Sequence, residues 1–380
     1  MIRSLVQLII LVLLLPGTGS GASGPARRKA KIPVIYCTDL FHPHDDPDDH
    51  FDLASLYAIP ELEIKAVILD QGAKQETKPG RIAVEQLNHL TGRKVPWAIG
   101  LSRELTGPSD AGLDQAQRYQ AGVELILKVL EKSSSPVTLI TVGSLRDVAA
   151  ALNRKPALFA EKIARLFVFI GDAQGAVREY NVTLDPHAYG RVMNSGLPVY
   201  WVPCFDGGLW KNDAGHASYW QARHAELLAD LSPPVMNYFI FALLRHPADD
   251  PIGFLHESRP AIEKLKVLAD QRNLWCSAIF PFVADRKYVL REGRYLSVAE
   301  RNLRKGDQPA AIFTFQPVKV KVDGKGVETC GDVAGAREVN RFQIMDRQNY
   351  AVAMTSVTRE LLKELSNREP PKKTKVGGSR

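Results

Sequence analysis

Short apolar runs alternate with longer segments of helical periodicity over the first two thirds of the chain. Strands are predicted at residues 33–37, 64–69, 96–99, 137–142, 166–170 and 198–202. Several of these runs are apolar throughout, as strands covered on both faces must be. Helices are predicted between them at residues 47–59, 81–90, 113–132, 145–152 and 186–194. This β-α order predicts an α/β fold built on an open, largely parallel, doubly wound sheet.

The pattern changes in the last third of the chain. Residues 212–269 are mostly helical, residues 274–322 contain strand patterns such as AIFTFQPVKVKV, and a final helix is predicted at 355–365. Neither an internal repeat nor a linker interrupts the chain. We therefore expect one domain over residues 31–367, with a late helical insertion.

The N-terminus has the three parts of a secretory leader. Arg3 precedes an apolar stretch from Leu5 to Leu15, and small residues surround a cleavage site near Ala22. The apolar stretch is shorter than the roughly 20 residues that span a bilayer, so stable membrane insertion is not expected. The sequence predicts a signal peptide at 1–22 and an exported protein, periplasmic or extracellular.

The formal net charge of +7 does not indicate nucleic-acid binding. No basic run is interleaved with aromatic residues, as a stacking surface for bases requires. Residues 368–380 are rich in Lys, Pro and Gly, and predict a disordered basic tail. The four cysteines, Cys37, Cys204, Cys276 and Cys330, form no C-x-x-C pair, which leaves their disulfide state open. Cys37 is predicted to be a buried free thiol.

Residues 41–55, FHPHDDPDDHFDLAS, crowd aspartates next to the first predicted strand, which Asp39 follows. In a parallel sheet, ligands bind beyond the carboxyl ends of the strands, where residues 142–144 and 171–172 should also lie. A bound cation would offset this charge, and hard oxygen ligands favour calcium or magnesium.

Two other interpretations of this stretch stay open. The acids could be ordinary first-turn residues of a helix, with Asp46 as its N-cap before Pro47. Alternatively, HPHDDP approaches the H-x-H-x-D-H pattern of two-zinc hydrolases, although Pro47 replaces the last histidine. We expect His42 and His44 to line the rim or to be exposed.

With its neighbours, VIYCTDLFHPHDDPDDHFDLASLYAIPELEIKAVIL resembles the opening of the inosine-uridine preferring nucleoside hydrolase family, a strand followed by D-T-D-P-G-x-D-D and a helix. Asp39 matches the second aspartate of this motif, and Asp48 and Asp49 match its final pair. Cys37 stands at the first aspartate. Further on, Glu179 and Asn181 match the family's E-F-N triplet. The resemblance covers roughly residues 32–205.

The resemblance implies an open α/β sheet and cleavage of the N-ribosidic bond of nucleosides by a calcium-bound water. It implies that Asp39, Asp49 and the carbonyl of Val142 bind the calcium and that Asp39 activates the water. Ribose hydroxyls would be held by Asp48, Glu179 and Asn181. Asp185, before Pro186, is instead predicted to be a helix N-cap.

The chain departs from the family pattern at its late His-Asp pair. The segment best placed to match, LWCSAIFPFVAD, puts Trp275 and Cys276 at those two positions. Trp275 could stack on a base or a sugar. The chain is thus expected to be a divergent member, and to prefer leaving groups that need little protonation.

We therefore expect an exported, calcium-dependent hydrolase of a nucleoside or related riboside, and its assembly as a homo-oligomer stays open. The leading alternative is a non-catalytic protein that binds nucleosides or sugars with the same site. A haloacid dehalogenase-type phosphatase is a third interpretation, but that family needs an aspartate where this chain has Phe41.

Overall fold

The computed structural model describes residues 30–367. The signal peptide predicted at 1–22 and the basic tail predicted at 368–380 lie outside the described residues. No helix in the described part of the chain is long and apolar enough to cross a membrane.

Fourteen strands and fourteen α-helices make up residues 30–367. The strands are β1 Ile32–Thr38, β2 Leu62–Leu69, β3 Trp97–Ile99, β4 Val137–Thr141, β5 Ile163–Val168, β6 Val199–Trp201, β7 Trp220–Arg223, β8 Gln271–Leu274, β9 Lys287–Arg291, β10 Arg294–Val298, β11 Gln308–Pro309, β12 Phe313–Val322, β13 Glu328–Cys330 and β14 Arg337–Ile344. The helices are α1 Asp48–Ala58, α2 Gly72–Thr77, α3 Arg81–Thr91, α4 Ala121–Lys132, α5 Arg146–Arg154, α6 Pro156–Lys162, α7 Tyr180–Leu184, α8 Pro186–Met193, α9 His224–Leu228, α10 Pro233–Leu243, α11 Pro251–Phe254, α12 Ala261–Leu268, α13 Phe280–Val283 and α14 Tyr350–Ser366.

A nine-stranded sheet has the order β13-β12-β14-β6-β5-β4-β1-β2-β3. Seven neighbouring strands of this sheet, β3, β2, β1, β4, β5, β6 and β14, pair in parallel. At one edge, β12 pairs with β14 and β13 pairs with β12, both in antiparallel fashion. The predicted open, largely parallel α/β sheet is confirmed. Strand β14, which extends the parallel part of the sheet beyond β6, was not predicted. Its sequence, REVNRFQI, has too few apolar residues at alternate positions to indicate a strand.

β1 sends alternate side chains to the two faces of this sheet. Val34 and Tyr36 join one hydrophobic core, which includes α1, α3 and α14, and Ile35 and Cys37 join a second core, which includes α4, α5 and α8. Covering both faces explains why the predicted strands are apolar throughout.

The order of the central strands defines a switch point. After β3 the chain returns to the other side of β1, so that β1 lies between β2 and β4. In doubly wound sheets, ligands bind in the crevice where the strand order reverses. Cys37 pairs with Thr141, and the Val142 N–H donates to the Cys37 carbonyl at 2.9 Å. The segments that follow β1 and β4 therefore begin side by side.

Some predicted boundaries were wrong. The helix predicted at 113–132 begins only at Ala121, after a 3₁₀ turn at Gln117–Tyr119. The final helix begins at Tyr350 rather than at residue 355. The late helical region contains α9 to α12, and the two-stranded β7-β8 sheet joins its ends.

Candidate active site

A cavity of about 670 Å³ opens at the switch point, beyond the carboxyl ends of β1, β4 and β5. Its lining includes every residue that was predicted to form the site: Asp39, Asp48, Asp49, Val142, Glu179, Asn181 and Trp275. The fold therefore brings together residues from widely separated segments. Their individual roles stay predictions.

Asp39 and Asp49 approach the cavity from the end of β1 and the first turn of α1. The Thr38 hydroxyl fixes Asp49 by donating to its Oδ1 at 2.6 Å. Loss of hydration, together with the neighbouring charge of Asp70, raises the pKa of Asp39 to about 8. Burial and the Asp39 charge raise the pKa of Asp49 well above its usual value. A shared cation would relieve this repulsion.

Asp48 and Asp52 lie four residues apart on one face of α1, and both line the cavity. Burial, followed by the charge of Asp46, raises the pKa of Asp48. Asp52 is buried and accepts a hydrogen bond of 2.5 Å from the Ser277 hydroxyl. Burial raises its pKa to about 7. Asp52 was not predicted to be a site residue, although its helical spacing from Asp48 was a usable signal.

Asn181 links the end of β4 to the cavity. Its Nδ2 donates to the Val142 carbonyl oxygen at 3.3 Å. Its Oδ1 is buried and has no hydrogen-bond partner among residues 30–367. Because buried polar atoms are nearly always paired, this oxygen is suited to accept from a ligand hydroxyl.

Glu179 is held by backbone donors from two segments. As the N-cap of α7, its Oε1 accepts from the Asn181 N–H at 2.9 Å, and its Oε2 accepts from the Gly171 N–H at 3.2 Å. Burial raises the pKa of Glu179 to about 7. The carboxyl group is thus oriented before any ligand binds.

Gly171 is in turn fixed by a second buried acid, Glu328 of β13. Glu328 Oε1 accepts from the Asp172 N–H at 3.1 Å and from the Tyr189 hydroxyl at 2.8 Å. Gly171 has a φ of +95°, and a Cβ there would lie 2.2 Å from Glu328 Oε1. Only glycine fits this position. Glu328 therefore supports the loop that orients Glu179.

Glu328→Gln tests this support through its pH dependence. Burial raises the pKa of Glu328 to about 8 from 4.5, so the folded state holds an extra proton between those values. Stability of the parent should fall as pH rises through this window. Glutamine keeps an acceptor oxygen and cannot ionise. The free energy of unfolding of the variant, relative to that of the parent, should therefore be higher at pH 8.5 than at pH 5 by about 2–4 kcal/mol. Urea unfolding at both pH values measures this, and a constant difference would contradict it.

Two of the crowded aspartates have cation partners. Lys74 and Lys78 both form ion pairs with Asp45, and Arg272 pairs with Asp46 at 2.9 Å. Part of the charge that a bound cation was expected to offset is therefore balanced by Lys and Arg side chains instead. The N-cap interpretation of Asp46 was wrong, because Pro47 is the N-cap residue of α1 and no side chain of the described residues caps that helix. Asp185 does cap α8, accepting from the Ala188 N–H at 2.9 Å.

The histidines of this region do not face the cavity. His42 and His44 are buried, contrary to the expectation that they line the rim or are exposed. The His42 ring stacks on Phe241 at 4.4 Å. The two-zinc interpretation thus loses its ligands, and no histidine of residues 30–367 is among those that line the cavity.

Trp275, which was predicted to be a site residue, lines the cavity, and so does Cys276, which was not. The Trp275 indole N–H donates to the Cys204 carbonyl at 3.3 Å, and its ring is half-buried. Cys276 is buried, and burial raises the pKa of its thiol well above the usual value. All four cysteines are free thiols, and Cys37 is buried as predicted.

The oxygen donors of the cavity suit a hard cation. Asp39, Asp49 and the Val142 carbonyl are ligands of the kind that calcium prefers. Within the described chain, no three His, Cys, Asp or Glu side chains form a complete metal site. The residues present fit a cation that takes two carboxylates and a carbonyl from the protein and further oxygens from water and substrate.

The sequence model of the inosine-uridine preferring nucleoside hydrolase family matches residues 38–364 of this chain. The chain belongs to this family. Pyrimidine-specific ribonucleoside hydrolase RihA of Salmonella paratyphi A is 35% identical over 189 residues, which cover 44% of this chain and 58% of the relative. RihA of Salmonella paratyphi C is 32% identical over 225 residues, covering 54% and 68% of the two chains. The chain thus spans little more than half the length of RihA of Salmonella paratyphi A.

Solved nucleoside hydrolase structures share the fold. The plant nucleoside hydrolase PpNRh1 superposes with a TM-score of 0.53 at 16% identity, over 87% of this chain and 99% of that one. The inosine-uridine preferring nucleoside hydrolase of Bacillus anthracis gives a TM-score of 0.51 at 17% identity, over 88% and 99%. The nucleoside hydrolase family member described here therefore has the fold expected of it.

Proposed function

We propose that this family member is an exported, calcium-dependent hydrolase that cleaves the N-ribosyl bond of a nucleoside-like substrate. The observation that carries the proposal is the convergence of Asp39, Asp49, Asp48, Glu179 and Asn181 on one cavity at the switch point. The similarity to RihA, a pyrimidine-specific ribonucleoside hydrolase, supports ribosides as the substrate class.

The hydrogen-bond acceptors on the sugar side of the cavity suit a ribose. Asp48 and Glu179 offer carboxylate oxygens, and Asn181 offers an Oδ1 without a partner in the described chain, so the ribose hydroxyls have three side chains to which they can donate. The backbone bonds to Glu179 fix its geometry in advance, which reduces the entropy lost when the sugar binds.

Asp39 is the candidate base. It is half-buried at the wall of the cavity, and its raised pKa makes it a competent proton acceptor once it is ionised. Calcium, when bound, would supply positive charge that keeps the neighbouring carboxyls ionised and lowers the pKa of a nearby water. Asp48 and Glu179 would stabilise the positive charge that develops on the sugar as the C–N bond breaks.

Non-catalytic binding is the second candidate function. It is favoured by one observation, that Trp275 and Cys276 occupy the cavity wall and no histidine of the described chain lines the cavity. Imidazole is the commonest side chain for general acid catalysis near neutral pH. Without it, the site could hold a riboside and leave it intact.

Hydrolysis of 4-nitrophenyl riboside separates the two functions. This leaving group departs without needing a proton, so a hydrolase should release nitrophenol in calcium and lose that activity in chelator. Ribose release from uridine and inosine is assayed in parallel. If calcium adds nothing to the background rate for any of these ribosides, while ribose still binds, the binding function is the better account.

Export is proposed from the leader sequence, Arg3 followed by Leu5 to Leu15 and small residues beyond. We expect the mature chain to begin near Ser23 and to be recovered outside the cytoplasm. N-terminal sequencing of the protein purified from fractions of its native host tests this. A cytosolic protein that begins at Met1 would exclude export.

A further inference from the structure

Trp210 is a large aromatic side chain that the fold keeps exposed at the cavity. It lines the cavity beside Leu209, and the two are 56% and 57% exposed. Its backbone has a φ of +60°, in the left-handed region that bulky residues rarely adopt. Strained, exposed positions of this kind concentrate at functional sites.

Dedicated contacts hold Trp210 in place. The Tyr219 hydroxyl donates to the Trp210 carbonyl at 2.5 Å. Asp172, which follows Gly171 in the loop after β5, accepts from the Gly208 N–H at 2.7 Å and from the Gly207 N–H at 3.2 Å. The segment that carries Trp210 is thus tied to the loop that orients Glu179.

Trp210 and two other aromatic residues that line the cavity, Phe205 and Trp275, are here called the aromatic wall. Ring centroids lie 5.3 Å apart for Phe205 and Trp210 and 5.9 Å apart for Trp210 and Trp275. Tyr219 contacts both tryptophans, at 6.0 and 6.4 Å. The faces of such rings attract cations, tryptophan most strongly.

The charge of the cavity favours the same kind of ligand. Within residues 30–367, five carboxyl groups without a Lys or Arg ion pair line it, those of Asp39, Asp48, Asp49, Asp52 and Glu179. Among residues 30–367, Lys74 is the only basic residue that lines the cavity, and it forms an ion pair with Asp45. Because no Lys or Arg pairs with these groups, whichever of the five carboxyls are ionised present negative charge to a ligand in the cavity.

We infer that the aromatic wall binds a flat, cationic leaving group, and that the preferred substrates are N-ribosylpyridinium compounds. This inference rests on the proposed hydrolase function. In the reaction, a water oxygen bonds to C1′ while the C1′–N bond breaks. The bonding pair moves to the ring nitrogen and cancels its positive charge, so a neutral pyridine departs without a proton. Asp39 accepts the proton of the water and passes it to solvent. A cavity that no histidine of residues 30–367 lines suffices for this chemistry.

Nicotinamide riboside is the test substrate, compared with 4-nitrophenyl riboside, uridine and inosine. We expect kcat/KM for nicotinamide riboside to exceed that for uridine and inosine by about a hundredfold or more, since only the latter need a proton on the base. Trp210→Ala should lower the value for nicotinamide riboside by about tenfold and the value for neutral 4-nitrophenyl riboside by less, since a cation–π contact is lost.

Trp210→Phe and Leu265→Ala are the matched variants. Phenylalanine restores an aromatic face and should recover most of the activity on nicotinamide riboside. Leu265 is an exposed apolar residue of α12, and its variant should behave as the parent. Circular dichroism and inhibition by ribose show whether Trp210→Ala keeps its fold and its sugar site.

The outcomes distinguish the inference from the proposed function. Hydrolysis of uridine or inosine at least as efficient as that of nicotinamide riboside overturns the inference and leaves the hydrolase function standing. Equal losses on the cationic and the neutral substrate in Trp210→Ala also overturn it. Absence of turnover with all four ribosides overturns both.

Discussion

Replacing Asp39 by asparagine is expected to lower turnover of 4-nitrophenyl riboside by about a thousandfold or more at saturating calcium. Asparagine has nearly the same shape but cannot accept the proton of a water. Affinity for ribose, measured by competition or calorimetry, should stay within about tenfold, because the lost interaction belongs to the transition state.

Asp332→Asn is the matched control, because Asp332 is an exposed aspartate paired with Lys319 and is not part of the cavity lining. It should keep the parent rate. If Asp39→Asn retained more than a tenth of that rate, Asp39 would not be the base. If it instead lost its affinity for ribose in proportion to the rate, the role of Asp39 would be binding.

Replacing Asp49 by asparagine is expected to abolish stabilisation by calcium. A ligand present at a thousandfold excess over its Kd stabilises the folded state by about 4 kcal/mol, which here raises Tm by roughly 4–8 °C. The amide oxygen of the substituted side chain would still accept from the Thr38 hydroxyl, so the fold should persist. With the buried repulsion against Asp39 reduced, the variant in chelator should be at least as stable as the parent.

Calorimetric melting with calcium and with chelator measures this, and Asp332→Asn again serves as control. An unchanged rise in Asp49→Asn would place the ion elsewhere. Zinc should stabilise the parent less than calcium does, because the donors are hard oxygens rather than imidazole or thiolate.

The sequence was informative where local patterns determine the outcome. Runs apolar throughout predicted the central strands, and the rule that ligands bind at strand ends placed Asp39 and Val142 together. The N-cap at Asp185 followed from its position before Pro186. The strands and the N-cap depend on neighbouring residues along the chain, and the meeting of Asp39 and Val142 follows from a general rule for parallel sheets, so all three can be predicted before the fold is known.

The missed features depend on distant segments. Asp45 is neutralised by Lys74 and Lys78, which α2 and the turn after it bring close only once the sheet has formed. Trp210 lies in a loop whose left-handed backbone no periodicity predicts. Glu328 supports the loop at Gly171 from an edge strand whose pairing partner, β12, is antiparallel to its other neighbour, β14.

The bond between Glu328 and Asp172 joins residues 156 positions apart, and this constrains the order in which the site can form during synthesis. A nascent chain that has emerged as far as β6 already contains Asp39, Asp49, Val142 and Glu179. It lacks the acid that fixes the loop at Gly171 until β13 leaves the ribosome. The loop that orients Glu179 is therefore completed only after β13 has been made, whereas Asp39, Asp49 and Val142 are all present once β6 has emerged.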